Sequence, residues 1–299
     1  MARFPISGLR SVDLTVRDVG AATTFYTEIW GLTVADAAAG SVFLRGTGTD
    51  PHILALHAGA ASTMRSITFR VAPGGDIAAL CAAMIAKGAT LLHAARDADE
   101  HGGGTIAAVR DPQGRMIRLV HDDRLAARLT DDADRPERLA HVNFNSDDTD
   151  RDAWFFTDAM GFVLTDRSKM MAFVRTNDDH HSIVIADAAV NTLNHVAFQM
   201  PAWEGVMRAA GRMVDHGFPI GWGPGRHGPG DNVFTYFVDP FGFVIEYTAE
   251  VLQVDDGYRV GGPADWTWAP GRSDQWGIAP PKTSECKAAQ LAIPFADAF

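Results

Sequence analysis

Short runs of alternating apolar and polar residues, broken by stretches of helical period, recur along the chain in one repeating order. SVDLTV (11–16), SVFLRG and HILALH alternate with period two and predict strands, while 21–30 predicts an amphipathic helix. SITFRV, a helix over 76–87, TIAAVRD and MIRLVH repeat that order, so the unit is βαβββ. The second half then restates the first at an offset of about 129 residues. TFYTEIWGLTV (24–34) matches WFFTDAMGFVL (154–164), MRSITFRV (64–71) matches LNHVAFQM (193–200), and DPQGRMIRLV (111–120) matches DPFGFVIEYT (239–248). Lys87-Gly88 and His216-Gly217 end corresponding helices. Each Asp-Pro-x-Gly, at 111–114 and 239–242, is hairpin chemistry, because proline presets φ and glycine permits positive φ.

Four such units predict two tandem domains, 1–122 and 138–250. The charged, apolar-poor stretch 123–137 reads as a linker. Residues 251–299 fall outside the repeat. Three tryptophans there, Trp266, Trp268 and Trp276, are costly to leave in water, so the tail is expected to be ordered over a pocket, at a subunit interface, or on its own domain. From these tryptophans a homo-oligomer is expected.

Composition narrows the function classes. Of 299 residues, 46% are hydrophobic and 21% charged, which describes a chain with a real core. A net charge of −11 without long basic runs argues against a nucleic-acid partner. No apolar stretch reaches a membrane span, and the start lacks a signal-peptide core. Two cysteines far apart, Cys81 and Cys286, propose neither a disulfide framework nor a zinc site, and a reducing cytoplasm fits.

Because the scaffold is duplicated, differences at matched positions report on chemistry. In the second half His141, His195 and Glu246 occupy equivalent strand positions; the first half is read as carrying Asp13, Ser66 and Arg118 there, a set ill suited to a divalent cation. A lone histidine on an apolar strand is usually a core residue. A carboxylate inside FVIEY, however, is expensive to bury unpaired. Two histidines and one carboxylate form the ligand set of non-haem Fe(II) oxygenases, leaving open positions for substrate and O2.

The run HGPGDNVFTYFVDPFGFVIE (227–246) resembles the signature of type I extradiol dioxygenases of the vicinal oxygen chelate superfamily. It sets His227, Tyr236, Asp239-Pro240, Gly242 and Glu246 at the family's spacing, with Thr235 a mild departure from the usual larger apolar residue. The resemblance covers residues 1–250. It implies an α+β fold, each domain a curved mixed sheet around a funnel, with a degenerate, metal-free first domain. It implies Fe(II) on His141, His195 and Glu246, with Mn(II) suiting the same ligands. The implied reaction is O2-dependent ring cleavage of a catechol to a semialdehyde-type product. It also implies an acid–base role for His181, hydrogen bonds to substrate and oxygen-derived ligands from His227 and Tyr236, and an Asn143 facing the O2 site.

Other readings keep the fold and change the chemistry. A 4-hydroxyphenylpyruvate dioxygenase would share the ligands but not His181, His227 and Tyr236. A non-catalytic binder would have lost the ligands, and glyoxalase-type isomerases or lyases generally lack the signature. His180 is read as solvent-facing or structural, since strand neighbours point opposite ways. His52, aligned with His181, is a strand histidine without chemistry. His57, His93, His101, His121 and His216 are read as ordinary. Phe173, Phe198, Trp222 and Phe243 are considered as pocket lining, with plain core the commoner role for apolar residues in such strands.

Overall fold

Among the described residues sixteen strands pair as two eight-stranded mixed sheets. The first comprises β1 (Ile6–Val16), β2 (Thr33–Ala38), β3 (Ser41–Arg45), β4 (Leu54–Ala58), β5 (Thr63–Val71), β6 (Thr90–Asp97), β7 (Thr105–Arg110) and β8 (Met116–His121). The second comprises β9 (Arg138–Ser146), β10 (Val163–Arg167), β11 (Met171–Arg175), β12 (Ile183–Asp187), β13 (Leu193–Gln199), β14 (Trp222–Arg226), β15 (Val233–Val238) and β16 (Val244–Ala249). Both have the order 2-3-4-1-5-8-7-6 within their own eight strands, and neither closes. This is the α+β architecture the repeat predicts. The computed structural model describes residues 3–38, 40–129 and 132–297; both chain ends, Ala39, and Thr130 and Asp131 of the expected linker lie outside the described residues.

The helices are α1 (Val19–Thr24), α2 (Ile77–Ala86), α3 (Thr149–Trp154), α4 (Trp203–Asp215) and the tail's α5 (Ser284–Ala289). Asp18 and Asp148 cap α1 and α3 by accepting backbone N–H bonds, and each helix runs on into one π-helical turn, 25–29 and 155–159. The duplication thus extends to an irregularity. One apolar core serves both domains. Trp30 stacks on Tyr247 with ring centroids 3.6 Å apart, the Tyr247 hydroxyl donates to the Trp30 carbonyl at 2.7 Å, and the Tyr26 hydroxyl donates to Asp239 at 2.7 Å. Phe198 and Phe243 belong to this core and do not line the cavity. No helix among the described residues is long and apolar enough to cross a membrane, and Cys81 and Cys286 are buried and unpaired.

Strand pairing corrects one sequence alignment. Val12 lies beside Ile67 and Leu54, and Val142 lies beside Val196 and Ile183. Val142 is therefore the counterpart of Val12, which makes Ser11, not Asp13, the counterpart of His141. Asp13 corresponds to Asn143. Pairing Ser66 with Asp13 and His195 with Asn143 agrees, as does Arg118 beside Thr68 and Glu246 beside Ala197. The slip is two residues. A two-residue slip keeps every side chain on its own face, so alternation alone cannot expose it.

In the first domain, then, two serines and an arginine stand where the second has its three ligand-type residues. Arg118 is buried and donates to Asp13 at 3.0 Å and to Glu100, and His57 also meets the Asp13 carboxylate at 3.2 Å. A fixed guanidinium supplies the cation there. Replacing Arg118 by Met leaves Asp13 charged in a buried site, and removing one partner of such a pair costs roughly 3–5 kcal/mol. The midpoint of chemical denaturation should fall accordingly; a wild-type midpoint would show the pair to be inconsequential.

Candidate metal centre

Alternation on three adjacent strands builds the centre. On β9, Val142 and Phe144 enter the core while His141 and Asn143 face the cavity. On β13 the same alternation turns His195 inward, and on β16 it turns Glu246 inward between Ile245 and Tyr247. The spacing of the signature run is that of a hairpin. Tyr236 pairs directly opposite Glu246, and between them Asp239 Oδ1 accepts the backbone N–H groups of Phe241 and Phe243 while Gly242 takes φ +89°.

The three donor atoms form a nearly equilateral triangle. His141 Nε2 lies 3.1 Å from His195 Nε2 and 3.3 Å from Glu246 Oε2, and His195 Nε2 lies 3.1 Å from Glu246 Oε2. A cation about 2.1–2.2 Å from each would put neighbouring donors about 3.0 Å apart in an octahedron and about 3.5 Å apart in a tetrahedron. All three side chains are buried. His195 Nδ1 lies 2.8 Å from Asn194 Oδ1, an acceptor, so its proton sits there and Nε2 presents a bare lone pair to a carboxylate oxygen. Two lone-pair atoms facing each other in a dry site call for a cation between them. Burial depresses His195 to about 4, keeping it neutral. The site fits a divalent metal, and among the described residues this is the one cluster of its kind. One metal per chain is expected on loading. Two tightly held ions in elemental analysis of the dialysed protein would contradict it.

Around the triangle lies a cavity of about 250 Å3 that Asn143, Phe173, His181, Trp222, His227 and Tyr236 help to line. His227 Nε2 and the Tyr236 hydroxyl are 3.0 Å apart, and His227 Nε2 is 3.8 Å from Glu246 Oε1. Burial lowers His227 to about 3 and raises the Tyr236 phenol well above its usual range, so both are neutral near pH 7. His181 packs on His141 with ring centroids 4.4 Å apart, and burial holds it well below the usual histidine range. The loop at Gly230 passes so close that a Cβ there would stand 2.7 Å from the His181 ring, and the residue has φ +84°, so glycine is needed twice over.

Behind His181 the sequence reading missed a chain of contacts. His180 is not solvent-facing but wholly buried. Its Nδ1 lies 3.0 Å from His181 Nδ1, and its Nε2 lies 2.7 Å from Asp166 Oδ2. A carboxylate only accepts, so a neutral His180 carries its proton on Nε2 and offers a bare Nδ1. His181 must then carry its proton on Nδ1, which leaves His181 Nε2 as the free base. The tail holds the far end: Tyr258 donates to Asp166 Oδ2 at 3.2 Å and the Gly261 N–H to Oδ1 at 2.6 Å. It also reaches the ligands. Gln290 donates to Asn194 Oδ1 at 2.7 Å, the same oxygen that orients His195. Trp266 and Trp268 line the cavity, so the tail covers the pocket. His52, the counterpart of His181, is buried against Arg10 and Phe43.

Known proteins share the fold. The family model described as the Glyoxalase/Bleomycin resistance protein/Dioxygenase superfamily matches residues 8–119 and 138–247. Metapyrocatechase 2 of Cupriavidus necator is 30% identical over 206 residues, 61% of this chain and 63% of that protein, so the match spans somewhat under two thirds of its length. A manganese-dependent 2,3-dihydroxybiphenyl 1,2-dioxygenase of Geobacillus genomosp. 3 is 26% identical over 246 residues, 72% of this chain and 76% of that one. The crystal structure of the Mn(II)-bound glyoxalase from Novosphingobium aromaticivorans superposes with a TM-score of 0.87 at 32% identity, over 94% of both chains. With both of its sheets matched, the chain belongs to the Glyoxalase/Bleomycin resistance protein/Dioxygenase superfamily.

Proposed function

We propose that this protein is an extradiol dioxygenase that opens a catechol-type ring with O2, using Fe(II) held by His141, His195 and Glu246. The observation that carries the reading is the meeting, in one cavity, of a converging His, His, Glu triangle, a neutral His227–Tyr236 pair and a His181 with its base nitrogen free. The names of the metapyrocatechase and dihydroxybiphenyl dioxygenase relatives accord with it. Mn(II) suits the same ligands, and the Geobacillus relative is named as manganese-dependent and the Novosphingobium structure as Mn(II)-bound.

The bound metal would supply the redox chemistry that joins ring and O2. This chain's residues do the rest. Phe173 and Trp222 wall the ring, and the Tyr236 hydroxyl and His227 meet its oxygens. His181 Nε2 accepts a ring hydroxyl proton. Its own Nδ1 proton can then pass to His180, where the Asp166 carboxylate offsets the charge. The same nitrogen returns the proton later as a general acid. Asn143, on the His141 face of β9 with its side-chain oxygen unpartnered, lines the cavity and would face the bound O2. Trp266 and Trp268 exclude water from above. We also assign the protein to the cytoplasm from its unpaired cysteines, and to a homo-oligomer from the exposed Trp276 and Ile278, which light scattering tests.

The direct test is aerobic incubation of Fe(II)-loaded protein with a series of catechols. Oxygen uptake matched by a yellow ring-fission product is expected; metal-loaded protein that consumes no O2 with any catechol would overturn the assignment. A glyoxalase-type isomerisation, favoured by the name of the Novosphingobium structure, needs no O2 and is separated by the same electrode trace.

A further inference from the structure

The cavity wall carries a cation that the chemistry above does not use. Lys282 comes from the tail, just before α5, and its half-buried side chain reaches into the space beside Tyr236 and Trp222. Its Nζ lies 4.5 Å from the centre of the Trp222 ring and 5.8 Å from that of Tyr236. It donates to Gln290 Oε1 at 2.6 Å. An ammonium has three donors, and this bond uses one. Among the described residues no carboxylate forms an ion pair with it, and apart from the metal ligand Glu246 no Asp or Glu faces the cavity. Burial lowers the lysine from its usual range, the expected response of a cation short of a counter-charge. A second lysine, Lys169, stands exposed at the mouth on the turn between β10 and β11. In a chain of net charge −11, a cavity walled by two lysines, its one acid committed to the metal, is an exception that draws anions inward.

We propose that the Lys282 ammonium receives a carboxylate carried by the substrate, so that the preferred ring is a catechol with an acidic substituent. The inference rests on the extradiol reading and refines it. At about 250 Å3 the cavity is smaller than the roughly 300–1,000 Å3 of drug-sized ligand pockets, which suits one ring with a short acidic arm over a multi-ring catechol. The position fits recognition. Lys282 is linked through Gln290 and Asn194 to the orienting bond of His195, so its ammonium stands at a set place relative to the ligands. Trp222 beneath the ammonium holds the charge in place by its ring face without neutralising it.

The test is binding to the metal-loaded full chain without oxygen, followed by tryptophan fluorescence or calorimetry. The probes are 3,4-dihydroxybenzoate, 3,4-dihydroxyphenylacetate and the uncharged 4-methylcatechol. At least one acid should bind roughly tenfold or more tighter than 4-methylcatechol, the scale of one charge-assisted hydrogen bond. Lys282→Met should collapse that ratio toward one, and Lys282→Arg should keep most of it. Metal content is measured in each variant, so that loss of the centre is not read as loss of recognition. Equal wild-type affinity for acids and 4-methylcatechol would overturn the proposal. So would a Lys282→Met variant that weakens all probes alike, because the lysine would then only support the wall. If no catechol of either kind binds the metal-loaded protein, the extradiol reading itself fails, and the proposal with it.

Discussion

Glu246→Gln should lose bound metal and oxygen uptake together while keeping the fold. The Glu246 carboxylate is buried and is the only anionic ligand of the triangle, 3.1 Å from one imidazole nitrogen and 3.3 Å from the other. An amide has nearly the same volume but no charge, and without it two neutral imidazoles are left to hold a divalent cation. Loss of an outer partner of a ligand already costs about 10–100-fold in metal affinity, and loss of the anionic ligand should exceed that. The fold tolerates the change, because the first domain builds the same strand with Arg118 at this position. Without metal, removing a buried charge should leave the thermal midpoint level or higher. Elemental analysis after dialysis and a melting curve together make the check. A Glu246→Gln protein with wild-type metal content would exclude Glu246 as a ligand.

His181→Phe should separate binding from chemistry. His181 is not part of the triangle, and phenylalanine fills a similar volume beside His141 and Phe173. Metal and catechol affinity should persist while kcat falls by roughly 10²–10⁴, the usual share of a placed acid–base group. Asp166→Asn probes the same step from two residues away. An Asn that turns its amide toward His180 Nε2 would donate to it, reversing the proton pattern through His180 and placing a proton on His181 Nε2, where the free base is needed. Holding a catalytic histidine in the wrong tautomer can cost about 10⁴ in kcat, as it does in a serine protease triad. Pre-steady-state kinetics should show kcat falling more than KM in both variants, with an altered pH profile in the second. Near-native turnover by metal-replete His181→Phe would remove the acid–base role from this residue.

The repeat was legible because the forces behind it are local. Period-two alternation, helix-ending glycines and Asp-Pro-x-Gly turns depend on near neighbours, and they lead to two sheets of βαβββ units. His141, His195 and Glu246 were legible because each puts a metal-binding group inside an apolar strand, where the matched half has none. The counterpart of His141 was misread because the offset between the halves changes by a residue from one strand to the next. It is 130 from Val12 to Val142, 129 from Ser66 to His195 and 128 from Arg118 to Glu246.

His180 was read by strand alternation, yet it stands at a turn just before β12, where the rule that neighbours face opposite ways does not hold. Its partner Asp166 sits fourteen residues earlier, on β10. The reach of the tail was likewise invisible. Lys282, Gln290 and Tyr258 matter through contacts with residues about 45 to 100 positions away, and no periodicity records where a segment without regular structure comes to rest. The sequence by itself determined the strands, the duplication and the ligand types, because side-chain period and residue chemistry are written locally. Only the tertiary structure decided which histidine tautomer faces the cavity and which cation lines it, because those follow from polar groups that meet only when distant strands and the tail pack together.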